Sequence, residues 1–312
     1  MKIKSLEIFL ILGDARSGTT FLSNNIIKKL GLLIIPETNF IKRLLSSKKD
    51  IFYSKQKVVN FLFEENKFND LKIDKNELLN SLSNVSSVKI IIEDILKIYY
   101  TKNSGKNSII GIKKGALLYS LDQIINLFPD IKIINLIRDG RGIYHSKKNS
   151  IYSQTGKPFL TNPVQAAKIW NEKIEIMLRS KINKNAIQFK YEELVNNLDF
   201  TLMKIRRLLK LDSKKIDKFR GKDGYFVSDI YDKDLHRNIN LGPDIKNIDK
   251  WKHGLSSQEI FCFELFSKKN LLKFNYKLQC IDKSLGNYFY VCICLLSYLF
   301  GKIKILPFNF KQ

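Results

Sequence analysis

The chain has 312 residues, is 44% hydrophobic, and carries 54 Lys+Arg against 30 Asp+Glu, a formal net charge of +24. Its length allows one large domain with a substantial core, or two small ones, and its charge favours anionic partners such as nucleotides, anionic sugars or acidic membranes. The basic residues are scattered rather than gathered in an arm or stripe and no nucleic-acid motif occurs, so specific nucleic-acid binding is not expected.

The four cysteines, Cys262, Cys280, Cys292 and Cys294, form no Cys-x-x-Cys pair, and only three histidines occur. A structural zinc site is therefore not expected, and this cysteine usage suits a reducing, cytoplasmic compartment. Met1–Leu12 has basic residues and a short apolar run without a small-residue cleavage site. It reads as a first core strand rather than a secretion signal.

In chain order, Glu7–Leu12 predicts an apolar strand, Gly13–Gly18 a glycine loop, and Thr19 to Leu30 a helix. Leu32–Ile35 is a second apolar run, stopped by Pro36. Residues 42–106 are polar with helical periodicity, as in Val58, Phe61, Leu62 and Phe63, and read as a helical lid insertion. Ile109–Ile112 and Lys132–Ile137 are further strands, with helices expected over Leu121–Phe128 and from Gly140 to about Ser150. Pro163 opens a long amphipathic helix to Ser180. Ala186–Phe189 is the fifth strand and Phe200–Leu209 another helix. Short apolar strands alternating with helices predict an α/β fold, a central parallel sheet of about five strands flanked by helices. Ligands in such folds sit beyond the carboxyl ends of the strands. Every motif below starts at such an end.

The string Gly13-Asp14-Ala15-Arg16-Ser17-Gly18-Thr19-Thr20 is a strand end, a glycine turn and a helix start. Its glycine spacing is that of a phosphate-binding loop, whose N–H groups and helix N-terminus hold anions. Thr19 stands where a nucleotide triphosphatase needs its lysine, so the loop suits a phosphate-like anion without being built for ATP hydrolysis. A second anion site is expected at Ile137-Arg138-Asp139-Gly140, where Arg138 ends a buried strand. Ser146, eight positions on, lies about two helical turns away and can reach back toward the same anion.

Arg-Ser-Gly-Thr-Thr at residues 16–20 resembles the 5′-phosphosulfate loop of sulfotransferases that use the donor PAPS (3′-phosphoadenosine 5′-phosphosulfate), and the Arg138/Ser146 pair resembles their 3′-phosphate motif. The resemblance runs from residue 8 to about 276 and is strongest to the bacterial and tyrosylprotein-type branch. Gly111-Ile112-Lys113-Lys114 fits the family's Lys-bearing strand, Tyr191-Glu192-Glu193-Leu194 its donor-contacting Tyr segment, and Lys250-Trp251 its late Lys-Trp. Asn149 and Ser150 stand where several relatives carry a further Arg. The resemblance implies a P-loop-like three-layer sulfotransferase domain over 1–280, with PAPS as donor, a hydroxyl-bearing acceptor and no metal. Arg16, Ser17, Gly18, Thr19, Thr20, Arg138, Ser146, Tyr191 and Lys250 would bind the donor. Catalysis would fall to Arg16, Lys113 and a base, Glu37, which follows the second strand as the family's Glu does. His145 and His236 are alternative bases, His236 and His253 acceptor-side candidates, and a small-molecule kinase the alternative function.

Residues 281–312 form an apolar C-terminal extension. Its run Tyr288–Phe300 is shorter than the roughly 20 residues that span a bilayer. It reads either as a helix packed on the domain or as one in peripheral contact with a membrane.

Overall fold

The computed structural model describes residues 6–103, 108–152, 156–180, 185–211, 245–279 and 283–300. The first βα unit is β1 (Glu7–Gly13) and α1 (Thr19–Leu30), followed by β2 (Leu33–Ile35). The polar stretch then folds as α2 (Phe40–Ser46), α3 (Lys55–Phe63), α4 (Lys75–Ser81) and α5 (Val88–Lys102), with 3-10 turns at Lys49–Tyr53 and Asn66–Leu71. β3 (Ile109–Lys113) leads through a 3-10 turn at Gly115–Ser120 into α6 (Leu121–Leu127), β4 (Lys132–Ile137) and α7 (Gly140–Lys148). A short antiparallel pair, β5 (Ile151–Tyr152) and β6 (Lys157–Pro158), precedes α8 (Pro163–Ser180), β7 (Ala186–Lys190), α9 (Tyr191–Asn196) and α10 (Leu198–Leu208). The later part holds α11 (Lys246–Asp249), α12 (Trp251–Gly254), α13 (Ser257–Lys273) and α14 (Leu285–Phe300).

The main sheet is five-stranded and parallel, in the order β2-β3-β1-β4-β7. β1 is its middle strand, which explains why Ile8–Gly13 is buried throughout. Alternate residues of β1 face opposite layers, as strand geometry requires. Ile8, Leu10 and Leu12 join the large core with α5 and the residue 40–82 helices, while Phe9 and Ile11 pack with Leu22 and Ile26 of α1. The α/β architecture expected from the sequence is the one observed, a parallel five-stranded sheet with helices on both faces.

Helix ends differ from expectation where side chains cap them. α10 begins two residues early because Asn197 accepts a hydrogen bond from the Phe200 N–H at 3.2 Å. α13 has no counterpart in the sequence reading, although Ser256 and Glu259 form a capping box, a local start signal. α14 packs on α8 and α13 through Val291 and Cys294, which meet Val164, Phe261 and Cys262. Asn162 donates a hydrogen bond to the Cys294 carbonyl at 2.9 Å. Among the described residues no helix is long and apolar enough to cross a membrane.

Candidate active site

The carboxyl ends of β1, β4 and β3 carry the three groups of candidate residues, and the parallel registers bring those ends together. The glycine loop leaves β1 at Gly13, where an added Cβ would lie 2.6 Å from Ser17 Oγ and 2.8 Å from the Leu136 carbonyl of β4. Gly18 has φ 97°, a left-handed conformation that costs an L-residue about 1–2 kcal/mol, and the Tyr191 ring lies 2.5 Å from its would-be Cβ. Arg16 takes a left-handed φ of 73° without that freedom. No side chain caps the start of α1, and its first turn has no acidic residue, an arrangement that leaves the first N–H groups of a helix available to an anion. Ser17 Oγ is buried without a hydrogen-bond partner.

A buried carboxylate clamps this loop from beneath. Asp14 pairs with Lys147 of α7 at 2.7 Å and with Lys173 of α8. The sequence reading passed over all three residues. Their only signal was a carboxylate inside an anion-binding loop, where it repels the ligand unless cations neutralise it.

At the end of β4, Arg138 is stitched to the glycine loop. Its Nη1 donates to the Arg16 carbonyl and its Nη2 to the Asn247 carbonyl, each at 2.8 Å, and its guanidinium lies 4.4 Å over the Tyr191 ring. The Arg138 Nε is buried without a partner. Arg16 Nε in turn donates to Ser146 Oγ at 3.0 Å. Arg16, Arg138, Ser146 and Tyr191 therefore form one cluster, in which the glycine-loop and strand-end motifs are in direct contact. Asp139, the next residue, caps α7 and pairs with the buried Arg141, which also binds Glu264 and stacks 3.9 Å over Trp251. Glu192 accepts from the Asp139 N–H and from the Tyr276 hydroxyl, and burial raises its pKa. This network fixes the turn that presents Arg138.

Lys250 is exposed at the start of α12, three residues beyond Asn247, on the segment that borders Arg138. His145 packs against Gly254, whose would-be Cβ lies 2.1 Å from the imidazole Nε2. Burial, then the charges of Arg138 and Lys148, push the His145 pKa down. His253 lies in α12, and His236 lies outside the described residues.

The third group joins β2 to β3. The pairing of Ile35 with Ile112 sets Glu37, just past β2, beside Lys113, the last residue of β3. Lys113 Nζ lies 2.6 Å from Glu37 Oε2 and donates to Thr20 Oγ1 at 3.0 Å, tying this pair to the glycine loop. Lys114 Nζ lies 3.7 Å from Glu37 Oε1. Both lysines therefore face Glu37, and Lys113 is the buried one that also reaches the loop. Burial pushes the Glu37 pKa up, but the charges of Lys113 and Lys114 and the Lys113 hydrogen bond outweigh it, bringing the value to about 2. Glu65 reaches from the 42–106 stretch and accepts the Asn39 N–H at 2.6 Å, fixing the turn that carries Glu37.

The profile of the Sulfotransferase family matches residues 8–215. The chain belongs to the sulfotransferase family. Among solved structures it resembles the sulfotransferase domain from the curacin biosynthetic pathway, with a TM-score of 0.58 and 16% identity over 88% of this chain and 99% of that one. It resembles the sulfotransferase domain of the Synechococcus PCC 7002 olefin synthase, with a TM-score of 0.56 and 19% identity over 88% and 97%. At these identities the likeness is one of fold. No curated protein matches the sequence. The reaction class of a sulfotransferase is sulfuryl transfer, and the three strand ends above are where such a fold presents its ligand site. Among the described residues no cluster of His, Cys, Asp or Glu has the make-up of a metal site.

Proposed function

We propose that this sulfotransferase moves a sulfuryl group from PAPS to a hydroxyl of a carbohydrate, lipid or peptide acceptor. The observation that carries the reading is the Arg138–Arg16–Ser146 chain of hydrogen bonds, which makes one site from a phosphate-loop start and a strand-end arginine. A donor with phosphates at both its 5′ and 3′ ends needs two such groups at adjacent strand ends. The residues fit it: Ser17 Oγ and Arg138 Nε are buried donors without partners, and the uncapped N-terminus of α1 opens beside them.

On this reading Arg16, Ser17, Gly18, Thr19 and Thr20 hold the 5′ end, and Arg138 and Ser146 the 3′-phosphate. Tyr191 and Lys250 border the nucleotide. PAPS supplies the sulfuryl group and a phosphate oxygen as leaving atom. Transfer is in line: the acceptor oxygen–sulfur bond forms as the sulfur–phosphate oxygen bond breaks, and that electron pair leaves on the phosphate.

Lys113 and Arg16 are the cations that stabilise charge on the leaving side, and Glu37 takes the hydroxyl proton. Glu37 starts fully ionised, which a base requires, yet its low pKa makes it a weak one. A shift of Lys113 from Glu37 toward the leaving oxygen removes the main opposing charge and raises the basicity of Glu37 as the proton must move. The lysine and the carboxylate thus act in sequence.

The test is transfer of labelled sulfate from PAPS across a panel of sugar, lipid and peptide hydroxyls, with ATP and magnesium as the competing donor. Labelled product from PAPS supports the reading. Phosphoryl transfer from ATP, without sulfuryl transfer, would replace it with the small-molecule kinase.

A further inference from the structure

α14 presents two faces of opposite fate. Asn287, Val291 and Cys294 are buried against α8 and α13. On the outer face Leu285 and Phe289 are 90% and 63% exposed, and Cys292, Leu296, Leu299 and Phe300 are exposed too. The positions 285, 289, 292, 296 and 299 step by four and three residues, so they form one continuous stripe along the helix. With 16 residues the helix is about 24 Å long. The packed face and the Asn162 bond to the Cys294 carbonyl hold it in place, so the stripe stays outward.

Charge decides what covers the stripe. Residues 281–312 contain four lysines, Lys283, Lys302, Lys304 and Lys311, against a single carboxylate, Asp282. Lys168 of α8 sits 4.2 Å over the Tyr298 ring at the side of the stripe. Tyr288 and Tyr298 flank the stripe, half exposed. Apolar residues on one face, aromatic rings at its edges and cations at both ends are the make-up of a helix lying in a membrane interface. The same spacing would suit a second copy of α14, but that pairing would bring together molecules of net charge +24 each, whereas an anionic surface attracts them.

We propose that the outer face of α14 docks in the plane of an anionic lipid surface, holding the enzyme there without crossing it. The proposal does not depend on the identity of the sulfuryl donor.

Co-flotation with vesicles of equal parts phosphatidylcholine and phosphatidylglycerol tests it, with vesicles of phosphatidylcholine alone as the comparison. The protein is expected to float with the anionic vesicles and to stay in solution with the neutral ones. Phe289→Glu with Leu299→Glu should cut the bound fraction at least about tenfold. Lys302→Gln and Lys304→Gln should each weaken it about fivefold. The exposed positions Phe289 and Leu299 should leave the melting temperature unchanged. In case a variant fails to fold, a polarity-sensitive dye on Cys292 in a Cys280→Ser background reads the stripe with its apolar residues in place, and its emission should shift to the blue only with anionic vesicles. Absence of flotation with anionic vesicles overturns the proposal, as does equal binding to neutral ones. A dimer in sedimentation that Phe289→Glu converts to monomer also overturns it, by giving the stripe to a second copy.

Discussion

Lys113 Nζ sits 2.6 Å from Glu37 Oε2 and, at 3.0 Å, on Thr20 Oγ1, so one buried ammonium links the proposed base to the proposed donor loop. Replacing Glu37 with Gln keeps the shape and removes the proton acceptor. Turnover should fall at least about a hundredfold, while the affinity for the donor nucleotide changes little. Turnover within a few-fold of wild type would make Glu37 a structural partner of Lys113 alone.

The same pair sets an acid limb of stability. The Glu37 pKa falls from 4.5 to about 2 on folding, so its ion pairs stabilise the protein fully above about 4.5 and are lost as pH drops toward 2. Glu37→Gln should therefore melt below wild type at pH 7, and the gap should close between those two pH values. Glu37 is 37% exposed, which limits the ion-pair contribution to about 1 kcal/mol. A gap that persists unchanged at low pH would assign the loss to packing instead.

Asp14 carries a heavier structural role. Its carboxylate is buried and neutralises Lys147 and Lys173 beneath the glycine loop. Asp14→Asn leaves the buried Lys147 and the partly buried Lys173 without their counter-charge, at a cost of about 3–5 kcal/mol. The melting temperature should drop by at least about 6 °C, and Lys147→Met in the same background should recover part of it.

His145 is the sequence's second candidate base, and its packing argues for another role. The imidazole is wedged against Gly254, and burial beside Arg138 lowers its pKa. His145→Gln should leave turnover within a few-fold. Because its folded pKa is depressed below 6.5, stability tied to His145 is full above that pH and lost as pH falls through it. The variant should then lose less melting temperature than wild type between neutral and mildly acid pH. Loss of turnover matching Glu37→Gln would return His145 to the chemistry.

The sheet was legible because Ile8–Leu12, Ile109–Ile112 and Ile133–Ile137 are interior parallel strands, and burial on both faces leaves runs that are apolar but for Asn135. The glycine loop and the Arg138/Ser146 spacing were legible because each lies within a short segment whose backbone geometry is local. The contacts that join them were not. Glu37 and Lys113 are 76 residues apart, and the β2–β3 register alone makes them neighbours. Arg16 and Ser146 meet because β1 and β4 are adjacent in the sheet, an order no local pattern encodes. α14 could be read as packed or interfacial from its apolar run, and the structure buries one face and exposes the other, a division that depends on where α8 and α13 lie.

The central claim is that Arg138 serves a second phosphate on the same ligand that the glycine loop holds. The direct measurement is a double-mutant cycle: binding of adenosine 3′,5′-bisphosphate and of AMP to wild type and to Arg138→Ala. Arg138 also supports the Arg16 carbonyl, so some loss is expected with both ligands, and the cycle subtracts it. The account predicts an added loss for the bisphosphate of about 1.5–3 kcal/mol, the worth of hydrogen bonds to a charged group. Equal losses for the two ligands, or wild-type binding of ATP with magnesium as tight as that of the bisphosphate, would contradict it.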